Sequence, residues 1–457
     1  MKPSLILVNP SIYDFAAYDL WSKPLGLLTL ASFLRRSGFR VDLIDCMNVH
    51  NPEMKTGPLV KMPKRRKFGT GKYFKQKVSK PDPLEDVPRA YSRYGISRKV
   101  LEHELKKLPR PEAILVTSLM TYWYPGVKET IILAKKVYPE IPVILGGIYA
   151  ILCSAHALKN SGADTVYAKA EVRGLLDVLD DYGVCPPLEH QDYDSTSFPA
   201  FDMLGKIDYV CIQTSTGCPY SCQYCASRFL NPTFSRRDPN DVIEEILYWH
   251  KKFLVNDFAF YDDALLVSSE NHFEILLEKI AKLKLNLRFH TPNAIHAGEV
   301  TEEIAVLMKR AGFKTIRLGL ETSDFSFHRN IDNKISEGDF ERAVKNLLSA
   351  EFENMDIGAY ILVGLPGQSI ESVKRTIDFV DSAGALPFLS EYSPIPHTGL
   401  WEEAVKSSEY DLVGEPLFHN NSLLPCWSHS QREELPLIKK RVSEIRNKYR
   451  GAINIKS

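Results

Sequence analysis

The chain of 457 residues contains no apolar run of about 18 residues, so no transmembrane helix is expected. It carries no excess charge of either sign: Lys and Arg number 57, Asp and Glu 57. That balance gives no reason to expect nucleic acid or an anionic membrane surface as partner. Cysteine is sparse, with eight in all, and a disulfide framework does not suit a chain of this size. Three of the eight stand close together, yet no second Cys-x2-Cys and no His pair follows them, as the two close ligand pairs of a structural zinc site would require. No repeat of fixed period is visible, which excludes a solenoid. The N-terminal apolar run Leu5-Ile6-Leu7-Val8 is too short for a signal sequence and stops at Asn9-Pro10, like the end of a strand. A reducing cytoplasm is the expected location, with Cys46, Cys153, Cys185, Cys211 and Cys426 as buried thiols.

What is present is ample apolar content, 44% of residues, enough for two or three domains. Residues 1–185 read as a Rossmann-like (flavodoxin-like) parallel α/β domain. Strands are expected at Leu5–Val8, Val41–Asp45, Ala113–Thr117 and Val143–Leu145, and helices at Leu25–Arg36 and Val127–Val137. Continuous apolar strands alternating with helices imply a parallel sheet covered on both faces. Ligands of such sheets sit beyond the carboxyl ends of the strands, here Asn9-Pro10, Asp45, Thr117-Ser118 and Gly146-Gly147. An insertion at 49–97 is basic between Lys55 and Lys80. It reads either as an arm for an anionic partner or as a solvated loop wrapping the domain interface, and Phe68, Tyr73 and Phe74 imply that it packs on something. A linker is expected at 186–205. Six further βα units over 206–400 suit a partial (β/α)6 TIM-type barrel with its chemistry at the carboxyl ends of the strands. Residues 401–457 read as a helical C-terminal extension, charged from Gln431 to Tyr449.

The sharpest signal is Cys218-x3-Cys222-x2-Cys225. Three thiolates in one tight loop can hold three irons of a 4Fe–4S cubane and leave the fourth iron open to an exogenous ligand; a fourth cysteine would suit pure electron transfer. The loop follows the first expected barrel strand, where a barrel site belongs.

With Tyr224 before the last cysteine, this motif resembles the signature of the radical S-adenosylmethionine enzymes. The resemblance implies a 4Fe–4S cluster on Cys218, Cys222 and Cys225, with S-adenosylmethionine bound at the open iron and cleaved to a 5′-deoxyadenosyl radical. It implies an external electron donor such as flavodoxin or ferredoxin and a small-molecule or peptide substrate. Tyr261-Asp262-Asp263 resembles the segment that meets the methionyl amine, so Asp262 or Asp263 is expected to accept from it. Asn293 and Glu321 fall in segments that line the cofactor pocket in that family. Gly364, in Gly364-Leu365-Pro366-Gly367-Gln368, falls in the turn beside the adenine. Relatives often carry Glu at the place of Gln368, which is assigned no role. Arg228, Arg236 and Arg237 are candidates for the methionyl carboxylate or for surface ion pairs. His397 reads as a loop residue with a ligand role as the lesser alternative.

Lys23–Gly38 and Leu43-Ile44-Asp45 resemble the cobalamin-binding domain fused to many of these enzymes. The Asp-x-His-x-x-Gly signature of other cobalamin proteins is broken: Asp45-Cys46-Met47-Asn48-Val49-His50 lacks the His and Gly at the required places. Val166–Glu171 also departs from the glycine-rich acidic stretch of relatives. Three functions stay open at this level. They are cobalamin-dependent methyl transfer to an unactivated carbon, a cobalamin-free radical rearrangement or ring closure with the N-terminal domain docking substrate, and an iron–sulfur sensor or RNA-binding protein.

Overall fold

The computed structural model describes residues 2–55, 61–186 and 198–454. Residues 56–60 of the basic insertion and 187–197 of the expected linker lie outside the described residues. The chain forms two compact units, Met1–Asp208 with Val413–His419, and Tyr209–Leu412 with Asn420–Ser457.

In the first unit five parallel strands, β1 (Ser4–Asn9), β2 (Arg40–Asp45), β3 (Ala113–Val116), β4 (Val143–Leu145) and β5 (Thr165–Val166), lie in the order β5-β4-β3-β1-β2. This is the doubly wound order whose switch point falls between β1 and β3. Alternation along β1 fills both faces. Leu5 and Leu7 enter a core with Leu27, Ala31 and Leu34 of α1 (Leu25–Arg36). Ile6 and Val8 enter the opposite core with Leu101 and Leu105 of α2 (Arg98–Lys107) and Val127 and Ile131 of α3 (Tyr124–Val137). Each such side chain contributes about 1.5–3 kcal/mol on burial.

The basic insertion is partly structured. Lys75–Lys77 and Ser92–Tyr94 form an antiparallel sheet with Ile12–Asp14, and Gly71–Lys72 pairs with Tyr18–Asp19. Tyr73 and Phe74 are buried, Phe68 stacks on Trp21, and Arg65 Nη2 meets Asp19 Oδ2 at 2.5 Å. The expectation of five buried thiols needs correction. Cys46, Cys211 and Cys426 are buried, but Cys153 is half-buried, and Cys185 is exposed with its thiol bonded to Asp180. Cys185 follows the end of its helix, beyond the apolar stripe that ends at Leu179.

In the second unit six parallel strands run in sequence order: β6 (Val210–Ile212), β7 (Asp257–Phe260), β8 (Arg288–His290), β9 (Phe313–Glu321), β10 (Ile357–Val363) and β11 (Leu386–Glu391). The longer helices between them are α4 (Pro239–Phe253), α5 (Phe273–Leu283), α6 (Glu302–Ala311), α7 (Asp339–Ser349) and α8 (Ile370–Ala383). Local chemistry sets their ends. The Thr301 and Ser369 hydroxyls accept from Ile304 and Ser372 N–H at the starts of α6 and α8, and Gly312 and Gly384 close them in the left-handed conformation. The expected C-terminal extension divides. His429–Asn454 is a long helix, α9, packed on β11 and α8. Val413–His419 instead belongs to the first unit, where His419 Nδ1 bonds Thr121 Oγ1 at 2.9 Å.

Candidate cluster and cofactor site

The cysteine loop leaves β6 and is held at both ends. Ser215–Thr216 pairs with Ser235–Arg236. Gly217 stands at φ +77°, and a Cβ there would meet Thr233 O at 2.6 Å, so glycine is required on both counts. Mid-loop, Gln223 N–H donates to Ile331 O (2.7 Å) and Gln223 O accepts from Leu400 N–H (2.8 Å). The turn Pro394–Gly399 therefore presses directly on the loop, and a Cβ at Gly399 would strike the Gln223 side chain.

Cys218 and Cys222 are half-buried and Cys225 is exposed. Burial raises the thiol of Cys218 and pushes that of Cys222 up to about 12, with Lys334 pulling the latter down. Each of these two thiols also feels the charge of Cys225. Ser227 N–H donates to Cys225 Sγ at 3.4 Å. Among the described residues no group of three or more His, Cys, Asp or Glu stands close enough to hold a single metal ion. A cubane makes a different demand, since its three thiolates bind three separate irons. Three soft donors in one pinned loop, with Cys218 and Cys222 disfavoured by burial as bare thiolates, fit that group; a metal deprotonates a coordinating thiol outright.

Behind the loop lies a buried charge network that the sequence did not reveal. Lys334 Nζ donates to Glu321 Oε1 and to Tyr224 Oη, both at 2.8 Å, and stands 3.6 Å from Asp332 Oδ2. Tyr224 Oη donates to Asp332 Oδ2 (3.2 Å), and His328 Nδ1 lies against Asp332 Oδ1. Burial opposes the charge on Lys334, but Glu321, Cys222 and Asp332 hold its ammonium above the ordinary lysine range. Burial, then Glu321, drives the Tyr224 phenol well above its usual value. Asp332 and Lys334 lie in a loop of no periodic pattern, Asp332-Asn333-Lys334-Ile335, which gave no signal.

The remaining expected residues sit at or beyond the carboxyl ends of the strands. Asp262 is 2% exposed, and its Oδ1 takes four donors: Thr214 N–H (2.9 Å) and Oγ1 (2.7 Å), and Ser215 N–H (2.6 Å) and Oγ (2.7 Å). Burial pushes its carboxyl up to about 6 against those donors, and Oδ2 has no partner among the described residues. Asp263 is half-buried and close enough to Cys218 for their charges to interact. Asn293 Nδ2 donates to Tyr261 O at 3.0 Å. Glu321 is buried at φ +66° and committed to Lys334. Gly364 stands at φ +99°, and Gln368, assigned no role from the sequence, closes its turn: Oε1 accepts from Gly364 N–H (2.9 Å) while Nε2 donates to Leu362 O (2.8 Å). Arg237 pairs with buried Glu245 (2.6 Å), Arg236 donates to Val267 O, and Arg228 is exposed. His397 is exposed and stacks on Phe229 at 4.3 Å.

In the first unit, the strand carboxyl ends carry a built edge. Asp45 accepts from Asn9 Nδ2 (2.7 Å) and Met47 N–H (3.0 Å). Gly147, at φ +92°, lets Ser118 O come within 2.3 Å of where a Cβ would be. Leu119, Met120 and Ile148 stand exposed beside it, at 37%, 47% and 36%. Exposed apolar groups beyond the carboxyl ends of β3 and β4 suit an apolar ligand face better than water. His50 gives no help to a metal there: its Nε2 meets Asp208 Oδ2 at 2.5 Å.

A parallel barrel whose first strand feeds a three-thiol loop defines an iron–sulfur enzyme. Residues 212–380 match the Radical SAM superfamily, so this stretch is a radical SAM domain and the chain is an enzyme. Its cofactors are a 4Fe–4S cluster and S-adenosylmethionine. Cytidylyl-2-hydroxyethylphosphonate methyltransferase of Streptomyces wedmorensis is 22% identical over 476 residues, 89% of this chain and 82% of that one. The radical S-adenosylmethionine methyltransferase TsrM of Kitasatospora setae, solved with tryptophan and aza-SAM, aligns over 92% of this chain and 82% of its own, with TM-score 0.65 and 15% identity. OxsB, a cobalamin-dependent S-adenosylmethionine radical enzyme solved with aqua-cobalamin, aligns over 97% of this chain and 56% of its own, with TM-score 0.55 and 13% identity. At those identities the two structures speak for a shared fold.

Proposed function

We propose that this enzyme transfers a methyl group to an unactivated carbon of a small molecule, using a cluster on Cys218, Cys222 and Cys225 and cobalamin at the carboxyl edge of the first unit. When bound, the cluster and S-adenosylmethionine supply a 5′-deoxyadenosyl radical for hydrogen abstraction, and cobalamin supplies the methyl group.

The chain's own residues bind and orient. The loop clamped through Gln223 fixes the three thiolates relative to the barrel mouth. Asp263 offers an acceptor to the methionyl ammonium, in a site where burial strengthens the contact, while Asp262 holds the start of the cysteine loop through Thr214 and Ser215. Lys334 pairs with Glu321 and lies near Asp332 beside Tyr224, so neither buried carboxylate stands without a cation. The observation that carries the cobalamin part is the set of exposed apolar side chains Leu119, Met120 and Ile148 beyond the carboxyl ends of β3 and β4. The methyltransferases among the relatives lend it support.

The test is anaerobic purification from cells supplied with cobalamin. Near one cobalt per chain with corrinoid bands, together with 5′-deoxyadenosine on reduction with S-adenosylmethionine, is expected. A cluster and 5′-deoxyadenosine without cobalt would replace methyl transfer by a cobalamin-free radical reaction. In Cys222→Ala the cluster absorbance and 5′-deoxyadenosine should both vanish.

A further inference from the structure

The last strand, β11, is hydrogen-bonded to β10 alone, so its other edge needs cover. Helix α9 provides it: Arg446 Nε and Nη2 donate to Pro387 O at 3.0 and 2.8 Å. Edge cover requires no more than that. Yet a cleft of about 320 Å³ lies between β11 and α9, and its polar lining is Lys439, Ser443, Arg446, Asn447 and Arg450, with Glu391 as the one carboxylate. Glu391 is taken up by Lys439 at 2.8 Å.

The two arginines are left over. Arg446 binds only a backbone carbonyl, and Arg450 has no ion pair among the described residues. A third guanidinium stands behind them: Arg317 on β9 lies 4.2 Å from the Phe388 ring centroid, and Arg446 lies 4.0 Å from the same centroid. Arg317 donates to Ile316 O (2.8 Å) and Asp356 O (3.5 Å) and also has no carboxylate partner among the described residues. Burial, with Arg317 and Arg450 adding like charge, pushes the Arg446 guanidinium down to about 10. Solvated surface cations repel one another little; half-buried ones around one aromatic ring repel strongly. An oxyanion in the cleft would relieve that repulsion and find Ser443 and Asn447 as further donors.

The Glu391–Lys439 end of the cleft lies at the carboxyl end of β11, whereas Arg446, on Pro387, lies toward its amino end. The strand ends at Glu391 and continues into Pro394–Gly399, the turn that presses on Gln223 in the cysteine loop. We propose that the cleft between β11 and α9 is an oxyanion-recognition site that receives a phosphate or carboxylate group of the substrate. Its assignment to substrate rests on the reading of this chain as an enzyme acting on a small molecule; the anion site itself rests on Arg446 and Arg450.

The test is calorimetric titration of the cluster-loaded protein with pyrophosphate and with citrate at constant ionic strength. Saturable binding of at least one is expected, weakened about tenfold by Arg450→Gln, the loss of one charged contact, and unchanged by Lys440→Gln, an exposed cation of the same helix outside the cleft. Arg446→Gln should weaken binding too; Arg450→Gln decides the matter should the edge fail to fold without Arg446. Preference for pyrophosphate assigns a phosphate-bearing substrate, preference for citrate a carboxylate. No saturable binding, or equal binding by wild type and Arg450→Gln, overturns the site. Formation of 5′-deoxyadenosine in the same samples separates the two readings. Cleavage without anion binding sinks only the anion site, and anion binding without cleavage sinks the radical chemistry and with it the assignment of the anion to substrate.

Discussion

Lys334 Nζ donates to Glu321 Oε1 across 2.8 Å, with the two side chains 9% and 8% exposed. Removing one partner of such a pair strands the other. Lys334→Met should destabilise the second unit by about 3–5 kcal/mol, because Glu321 and Asp332 are left buried without their cation. The double variant Lys334→Met with Glu321→Gln should recover part of that loss. Urea unfolding of the cluster-free protein checks this, and an unchanged midpoint in the single variant would remove the network from the stability account.

Gly217→Ala adds a Cβ that would sit 2.6 Å from Thr233 O, at a φ that L side chains rarely adopt. The loop must shift, and the three thiols with it. Iron per chain after reconstitution should fall well below wild type while far-ultraviolet circular dichroism stays unchanged. Full iron loading would show that the loop tolerates the shift.

Asp262 and Asp263 are neighbours with different tasks. Asp262→Ala leaves two N–H groups and two hydroxyls at Thr214 and Ser215 without their acceptor, at roughly 1–3 kcal/mol for each donor left buried and unmet. It should lower the melting temperature, and Asp262→Asn should do so less, since an amide oxygen remains. Asp263→Ala should leave melting and cluster content alone and raise the Kd for S-adenosylmethionine. Equal effects of the two alanine variants on melting would contradict this division.

Asp208 supplies a pH test in the first unit. Burial raises its carboxyl, but His50 at 2.5 Å and Lys206 at 3.2 Å outweigh burial and bring it down to about 2. A lowered carboxylate stabilises the fold above its unfolded value, near 3.8, and that contribution disappears as pH falls through about 2. It is worth ~2 kcal/mol at neutral pH. Wild type should therefore exceed Asp208→Ala in stability at pH 6, with the gap closing toward pH 2. A gap of constant size across that range would assign the loss to packing instead.

Much of the architecture was legible because its elements are long and apolar in period. Helix α1 occupies Leu25–Arg36 as its pattern implies, and each of the six barrel strands overlaps a run of buried residues. The cysteine spacing was equally plain. Short elements escaped: Thr165–Val166 and Ile12–Asp14 are too brief to show alternation, and they form strands only because β4 and Ser92–Tyr94 offer them partners. The network around Lys334 escaped for a related reason. Its members come from the cysteine loop, from the end of β9 and from a loop beyond it, and nothing local marks a lysine as buried until the fold brings carboxylates to it. Gln368 shows the converse, a residue set aside for its departure from relatives that nonetheless closes the Gly364 turn with both ends of its amide.

The bond between Thr121 and His419 has a consequence for synthesis. Domains near the N-terminus commonly fold while the ribosome is still adding later residues. Here the segment Val413–His419, which belongs to the first unit, emerges only after the whole barrel sheet has been made. The first unit must wait, incomplete, through most of translation, and a fragment ending at residue 208 would expose the site that His419 fills. Its completion is thus tied in time to the synthesis of the barrel sheet that precedes Val413 in the chain.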